Sequence, residues 1–214
     1  MIQLFLKGGP IMWPILLTSV IAFTVVVERL FFIVAERVRR QPRVVGEVLA
    51  KVEHGDFEGA VALGKLSQDF VARTLTYGLQ HRDKSVSEAL LRAANWELKR
   101  FNRGLSILDT IITLAPLLGL LGTVTGMIRA FSLLGGEELG APAAITGGIA
   151  EALIATAFGL GVAITALIPF NYLNSRLEEA RQDIQDAASH IEIYLAKRTG
   201  SCAFQALETD PAGT

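Results

Sequence analysis

One carboxylate in this chain stands out because of its neighbours. Glu151 interrupts the run ITGGIAEALIATAFGLGVAI, which holds no other ionisable residue. A carboxylate in so apolar a stretch is expensive unless it is paired, protonated or facing water, so it is a candidate for function by default. The plainer alternative is a glutamate near a membrane surface that simply reaches water. Hydroxyls recur along the same run and the apolar run before it: Thr146, Thr156 and Thr165 in the one, Thr123 and Thr125 in the other. A threonine can satisfy itself by bonding to the carbonyl one turn back, so each alone says little. With Glu151 they can offer oxygens, or hydrogen-bonded water, to a small cation. Asp109 stands near the start of the earlier run and reads as a helix-opening or interface residue without a special role. Arg129, near the far end of that run, is expected to snorkel outward to water.

Other chemistry finds no footing. His54, His81 and His190 are scattered and form no ligand set, and the one cysteine, Cys202, excludes an internal disulfide and a cysteine metal cluster. No glycine loop ends in Lys-Ser/Thr, and neither HExxH nor GxSxG occurs. The chain therefore reads as no enzyme, with no cofactor and no metal. A net charge of −1 gives no basic field for nucleic acid. Energy for any work must come from an ion gradient or a partner.

The elements that position these residues follow from hydropathy. A membrane crossing needs ~20 mostly apolar residues, and the windows 10–35, 105–134 and 143–173 meet that requirement. The first is too long for a signal-peptide core and is followed by Glu-Arg rather than by small residues. Trp13 and Phe31-Phe32 suit interfacial anchoring. Glu28 and Arg29, inside its lower third, must pair or snorkel. Residues 1–9 form a short lead. Residues 36–104 are rich in Lys and Arg, with apolar residues at helical spacing (Val44, Val48, Val52; Ala89, Leu90, Ala93, Ala94), and predict a helical insert with breaks at His54-Gly55-Asp56, Ser67-Gln68-Asp69 and Asp83-Lys84-Ser85. The segment 135–142 is a short acidic loop, 174–199 a polar helix and 200–214 a disordered tail. Basic residues crowd the exit of the first window, the entry of the second and the exit of the third, while the 135–142 loop has none and Lys7 is a mild, outweighed exception. The insert and the 174–199 helix are therefore expected in the cytoplasm, and the N-terminus and the loop outside.

The second and third windows are rich in small residues at helical spacing. Gly119, Gly122 and Gly126 mark one face of the second; Gly148, Ala152, Ala155 and Gly159 mark one face of the third. Such stripes let helix backbones approach closely. Tight packing inside one subunit would account for them. Two stripes on adjacent spans, with polar residues beside them, point instead to a bundle of several subunits.

Residues 115–131 (APLLGLLGTVTGMIRAF) and 149–164 (IAEALIATAFGLGVAI) resemble the paired signatures of the MotA/TolQ/ExbB proton-channel family, and GGPIMWPILLTSVIAFTVVVERL resembles the first span of its ExbB-type members. The resemblance covers all but the tail, and three spans fit ExbB and TolQ rather than the four-span MotA. It implies an all-α membrane protein with three transmembrane helices and long cytoplasmic helical extensions, forming a homopentameric ring in the bacterial inner membrane around a single-span partner dimer of the ExbD/TolR/MotB kind. It implies an ion path through Thr123, Glu151 and Thr156, with Thr125, Thr146 and Thr165 as further polar candidates, the titrating aspartate belonging to the partner. It also implies that the ion, proton or sodium, drives mechanical work. A membrane scaffold and a secondary transporter subunit are the competing readings; the latter lacks an inverted repeat and interrupted helices. Thr125, where such proteins often carry Trp, and Thr165, where they often carry Pro, depart from the pattern; here the proline falls at Pro169.

Overall fold

The computed structural model describes residues 5, 7–82, 85–132 and 142–208, with backbone alone at 142–145 and 198–208. Among the described residues the elements are helices joined by short turns, and no strand occurs. They run α1 (Met12–Arg39), α2 (Pro42–Glu53), α3 (Phe57–Leu66), α4 (Phe70–Gln80), α5 (Val86–Asn102), α6 (Leu105–Ser132) and α7 (Pro142–Glu208). Helices α1 and α6 and the stretch Thr146–Lys197 of α7 are long and apolar enough to cross a membrane, which agrees with the three expected spans. The chain divides into two compact units, Met1–Phe32 with Arg103–Ser175, and Ile33–Asn102 with Arg176–Thr214. The expected 135–142 loop, save Pro142, and most of the 1–9 lead lie outside the described residues. The tail differs in part from expectation. The backbone of α7 continues to Glu208, because Ala203, Ala206 and Leu207 favour helix and Pro211 is the first residue that forbids it; residues 209–214 lie outside the described residues.

The first unit is built on three stripes. On α1, Met12, Ile15, Thr18, Ala22, Val25 and Arg29 are buried at intervals of three and four residues, the repeat of one helix face. On α6 the buried set is Leu105, Leu108, Ile111, Ala115, Gly119, Gly122, Gly126 and Ala130. On α7 it is Ala152, Ala155, Gly159, Ala163, Ala166 and Leu173. Large side chains fill the early turns of α6, and small ones take over from Ala115. Arg29 belongs to the buried face: only 4% of it is exposed. Its Nη2 donates to Glu28 Oε1 at 2.7 Å, and its guanidinium lies 4.9 Å from the Phe32 ring centre. Of the two fates expected for Glu28 and Arg29, pairing is the one realised, and it is with each other.

In the second unit α2 to α5 pack around Val48, Val52, Ala60, Phe70, Val71, Leu75, Leu79 and Leu90. Gly55 turns the chain between α2 and α3 with φ 79°, a region that L side chains disfavour. Asp56 then caps α3 by accepting from Gly59 N at 2.8 Å. Its carboxyl is held below the usual range by the hydrogen bond from Lys51 and that from Gly59. Asp69 is the more consequential cap. It is 1% exposed and accepts from Val71 N (2.8 Å), Gln41 N (2.7 Å) and both Arg40 Nη1 contacts (2.8 and 3.0 Å). Arg40 also pairs with Asp183 of α7 and lies 4.6 Å from the centre of the Phe70 ring. Burial opposes its charge, but the two aspartates outweigh burial and hold its pKa above the ordinary arginine value. Nearby, Arg73 donates to Glu97 at 2.8 Å and stands 3.6 Å from the buried Glu36. Tyr194 on α7 donates to the Glu53 carbonyl at 2.7 Å, which fixes that part of α7 against the end of α2.

Candidate ion-path site

The α6 and α7 stripes meet each other. A Cβ placed on Gly126 would lie 2.9 Å from Ala152 Cβ and 3.0 Å from the Gly148 carbonyl oxygen; one on Gly148 would lie 2.9 Å from Ala130 Cβ. One on Gly119 would meet Thr156 Cα at 3.0 Å, one on Gly122 would strike Ala155 Cβ, and one on Gly159 would stand 2.5 Å from the Ala115 carbonyl oxygen. The seam is therefore closed along its length by backbone-to-backbone approach that only hydrogen permits as a side chain. This corrects the inference from the stripes to several subunits. They are consumed by contact between neighbouring helices of one chain, and so carry no argument about copies.

Across this seam the Thr156 hydroxyl donates to the Gly119 carbonyl at 2.9 Å. That carbonyl is reachable because residue 119 has no side chain. The other hydroxyls turn to their own helices. Thr123 donates to the Leu120 carbonyl (2.7 Å), Thr125 to those of Leu121 and Gly122 (3.0 and 3.1 Å), and Thr165 to those of Gly161 and Val162 (2.9 and 3.0 Å). Each donor is thus spent on a carbonyl, while lone pairs remain to accept from water. Thr123 also lines an open groove of about 700 Å³ on α6 with Val124, Met127, Ile128, Phe131 and Ser132. Thr146 is exposed near the start of α7. Asp109 is exposed in the second turn of α6.

Glu151 has a partner that sequence reasoning missed. Arg129 Nη1 donates to Glu151 Oε1 at 3.0 Å, α6 to α7. Arg129 therefore does not reach outward alone, as expected, because a carboxylate within reach on the next helix satisfies it better. The signal was present: Arg129 lies late in its apolar run and Glu151 early in the next, so both fall towards the 135–142 end of their spans. Without the helix register their meeting could not be deduced. The N-terminal turn closes on the same carboxylate. Gly9 has φ 71°, and a Cβ there would collide with Glu151 Oε1. Among the described residues no hydrogen bond joins Glu151 to Thr123 or Thr156. Glu151 and Thr156 are separated by ~7.5 Å of helix rise and by more than a quarter turn, so they present to different sides of α7.

Residues 65–186 match the MotA/TolQ/ExbB proton channel family. The chain is 39% identical over 197 residues to biopolymer transport protein ExbB-like 1 of Synechocystis, which covers 88% of this chain and 76% of that protein. It is 36% identical over 194 residues to ExbB-like 3 of the same organism, covering 88% and 91%. Tol-Pal system protein TolQ of Haemophilus influenzae is similar over a shorter stretch, 38% identical across 100 residues, 47% of this chain and 44% of that one.

Proposed function

The chain belongs to the MotA/TolQ/ExbB proton channel family, and from that premise we propose that it is the proton-conducting stator subunit of an ExbB/TolQ-like inner-membrane motor. It converts proton-motive force into mechanical work through an ExbD/TolR-like single-span partner, whose dimer sits inside a homopentamer of this chain. The N-terminus is periplasmic and the C-terminus cytoplasmic, as the Lys/Arg bias requires. The observation that carries this reading is Glu151. It is a carboxylate among apolar residues of a spanning helix, at a position that matches the family signature, and it is held by an arginine from the adjacent span. Thr156 and Thr123 supply further oxygens along the same pair of helices. One charge falling through 100 mV releases about 2.3 kcal/mol, so work must accumulate over several protons, as a stepping or rotary cycle allows.

The test is flux. Vesicles containing the chain with its ExbD/TolR-like partner should acidify when a pH gradient is imposed, and a sodium gradient alone should produce no current. Glu151→Gln should remove most of the flux. Thr156→Val, which deletes the hydroxyl that bonds Gly119, should reduce it less. Flux untouched by both changes would remove the site assignment. A monomer in mild detergent would remove the ring, and a sodium current would turn the motor into a sodium-driven one.

A further inference from the structure

The Arg129–Glu151 pair joins the two helices of the proposed ion path at the level of its one carboxylate. Three elements converge there. Arg129 comes from α6, Glu151 from α7, and Gly9 from the turn that precedes α1. Arg129 binds one carboxylate oxygen, Oε1, and among the described residues no hydrogen bond is donated to Oε2. The left-handed Gly9 backbone packs against the same oxygen, Oε1, close enough that a Cβ there would collide with it. Gly8 packs closely on Met12 and Ile154, with any Cβ there 2.5 Å from Met12 Cγ and 3.1 Å from Ile154 Cγ2. Oε1 is thus held by the guanidinium and packed against the Gly9 backbone.

We propose that Arg129 is a positioning residue for ion passage: by holding Oε1 it fixes the direction in which Glu151 presents Oε2, with the Gly9 backbone packed beside the held oxygen. The inference rests on the proton-conducting reading above. Its physical basis is that a guanidinium holds a carboxylate in a directed hydrogen bond that a point charge matches only partly. An unpinned glutamate instead spreads over several rotamers and meets the permeating ion in only some of them. A one-ångström misplacement of a reacting group is enough to lower a rate severely.

The experiment is a double-mutant cycle on proton flux through vesicles containing this chain and its ExbD/TolR-like partner. Arg129→Gln should lower the flux about tenfold, which is about 1.4 kcal/mol of lost alignment, while Arg129→Lys should retain an intermediate flux. In a Glu151→Gln background, Arg129→Gln should have no further effect, because the group it positions is gone. Thermal unfolding in detergent, run on the same samples, separates alignment from damage to the fold: Arg129→Lys should match the parent. Equal losses from Arg129→Gln with and without Glu151 would overturn the proposal, as would full flux in Arg129→Gln. A parent complex that passes no protons at all would instead sink the functional reading itself.

Discussion

Gly159→Ala is expected to destabilise the protein although the same exchange two residues away should not. In the interior of a helix, Gly to Ala ordinarily gains up to about 1 kcal/mol because alanine loses less entropy on folding. Gly161 meets that condition, since nothing lies within 4 Å of a Cβ placed there. At Gly159 the added methyl would stand 2.5 Å from the Ala115 carbonyl oxygen and 3.1 Å from Gly119 Cα. Both are backbone atoms, and no side chain can rotate to make room. The helices must separate, which loosens the Thr156–Gly119 hydrogen bond and the contacts between Gly126 and Ala152 at the same time. Overpacking of this sort costs about 1–3 kcal/mol, so the two variants should shift the thermal midpoint of the purified protein in opposite directions. Equal behaviour of Gly159→Ala and Gly161→Ala would mean that the seam does not form.

The second large effect is expected at Asp69, in the unit that holds α2 to α5. Asp69→Ala removes the cap of α4, the acceptor for Gln41 N and the carboxylate that faces Arg40. Arg40 keeps Asp183, which is half-exposed, but loses its buried partner. Removing one member of a buried pair costs about 3–5 kcal/mol, because the other charge is left in a poor environment. Denaturant unfolding should register a loss of that size, and amide exchange at Gln41 and Val71 should accelerate. Asp69→Asn keeps an acceptor oxygen for the cap while losing the charge, and should fall between the two. If Asp69→Asn were as stable as the parent, the pairing with Arg40 would contribute nothing.

The residues explain what could be foreseen. The spans were legible because a membrane helix must be apolar for its whole crossing, and the glycine and alanine stripes were legible because spacing alone sets which face a residue takes. The end points of the helices were less so. Polar residues after Ala35 are good helix formers, so α1 continues to Arg39, and α7 continues beyond residue 199 to Glu208. What the stripes would touch was not legible, since a stripe of small residues serves equally for a neighbouring helix of the same chain or of another copy. Pairing was the least accessible. Arg129 and Glu151 are 22 residues apart, Arg40 and Asp183 are 143 apart, and Thr156 finds its acceptor on a backbone atom, which no pattern of side chains announces. Asp69 was recognised only as part of a break, because a cap and a buried charge hub look alike in sequence.

The closed α6–α7 seam also decides where the molecule can yield. Its small residues are used up, so whatever lies beyond α6 and α7 in the bilayer meets Leu117, Leu120, Leu121, Val124 and Ile128 on the one and Leu153, Leu160, Ile164 and Ile168 on the other, all exposed. Helices that touch through such bulky side chains stand about 8–10 Å apart and slide on soft, interchangeable contacts, whereas the glycine seam is locked atom against atom. The helix pair is accordingly a stiff stave, and the give in any barrel made of such staves lies in the joints between them.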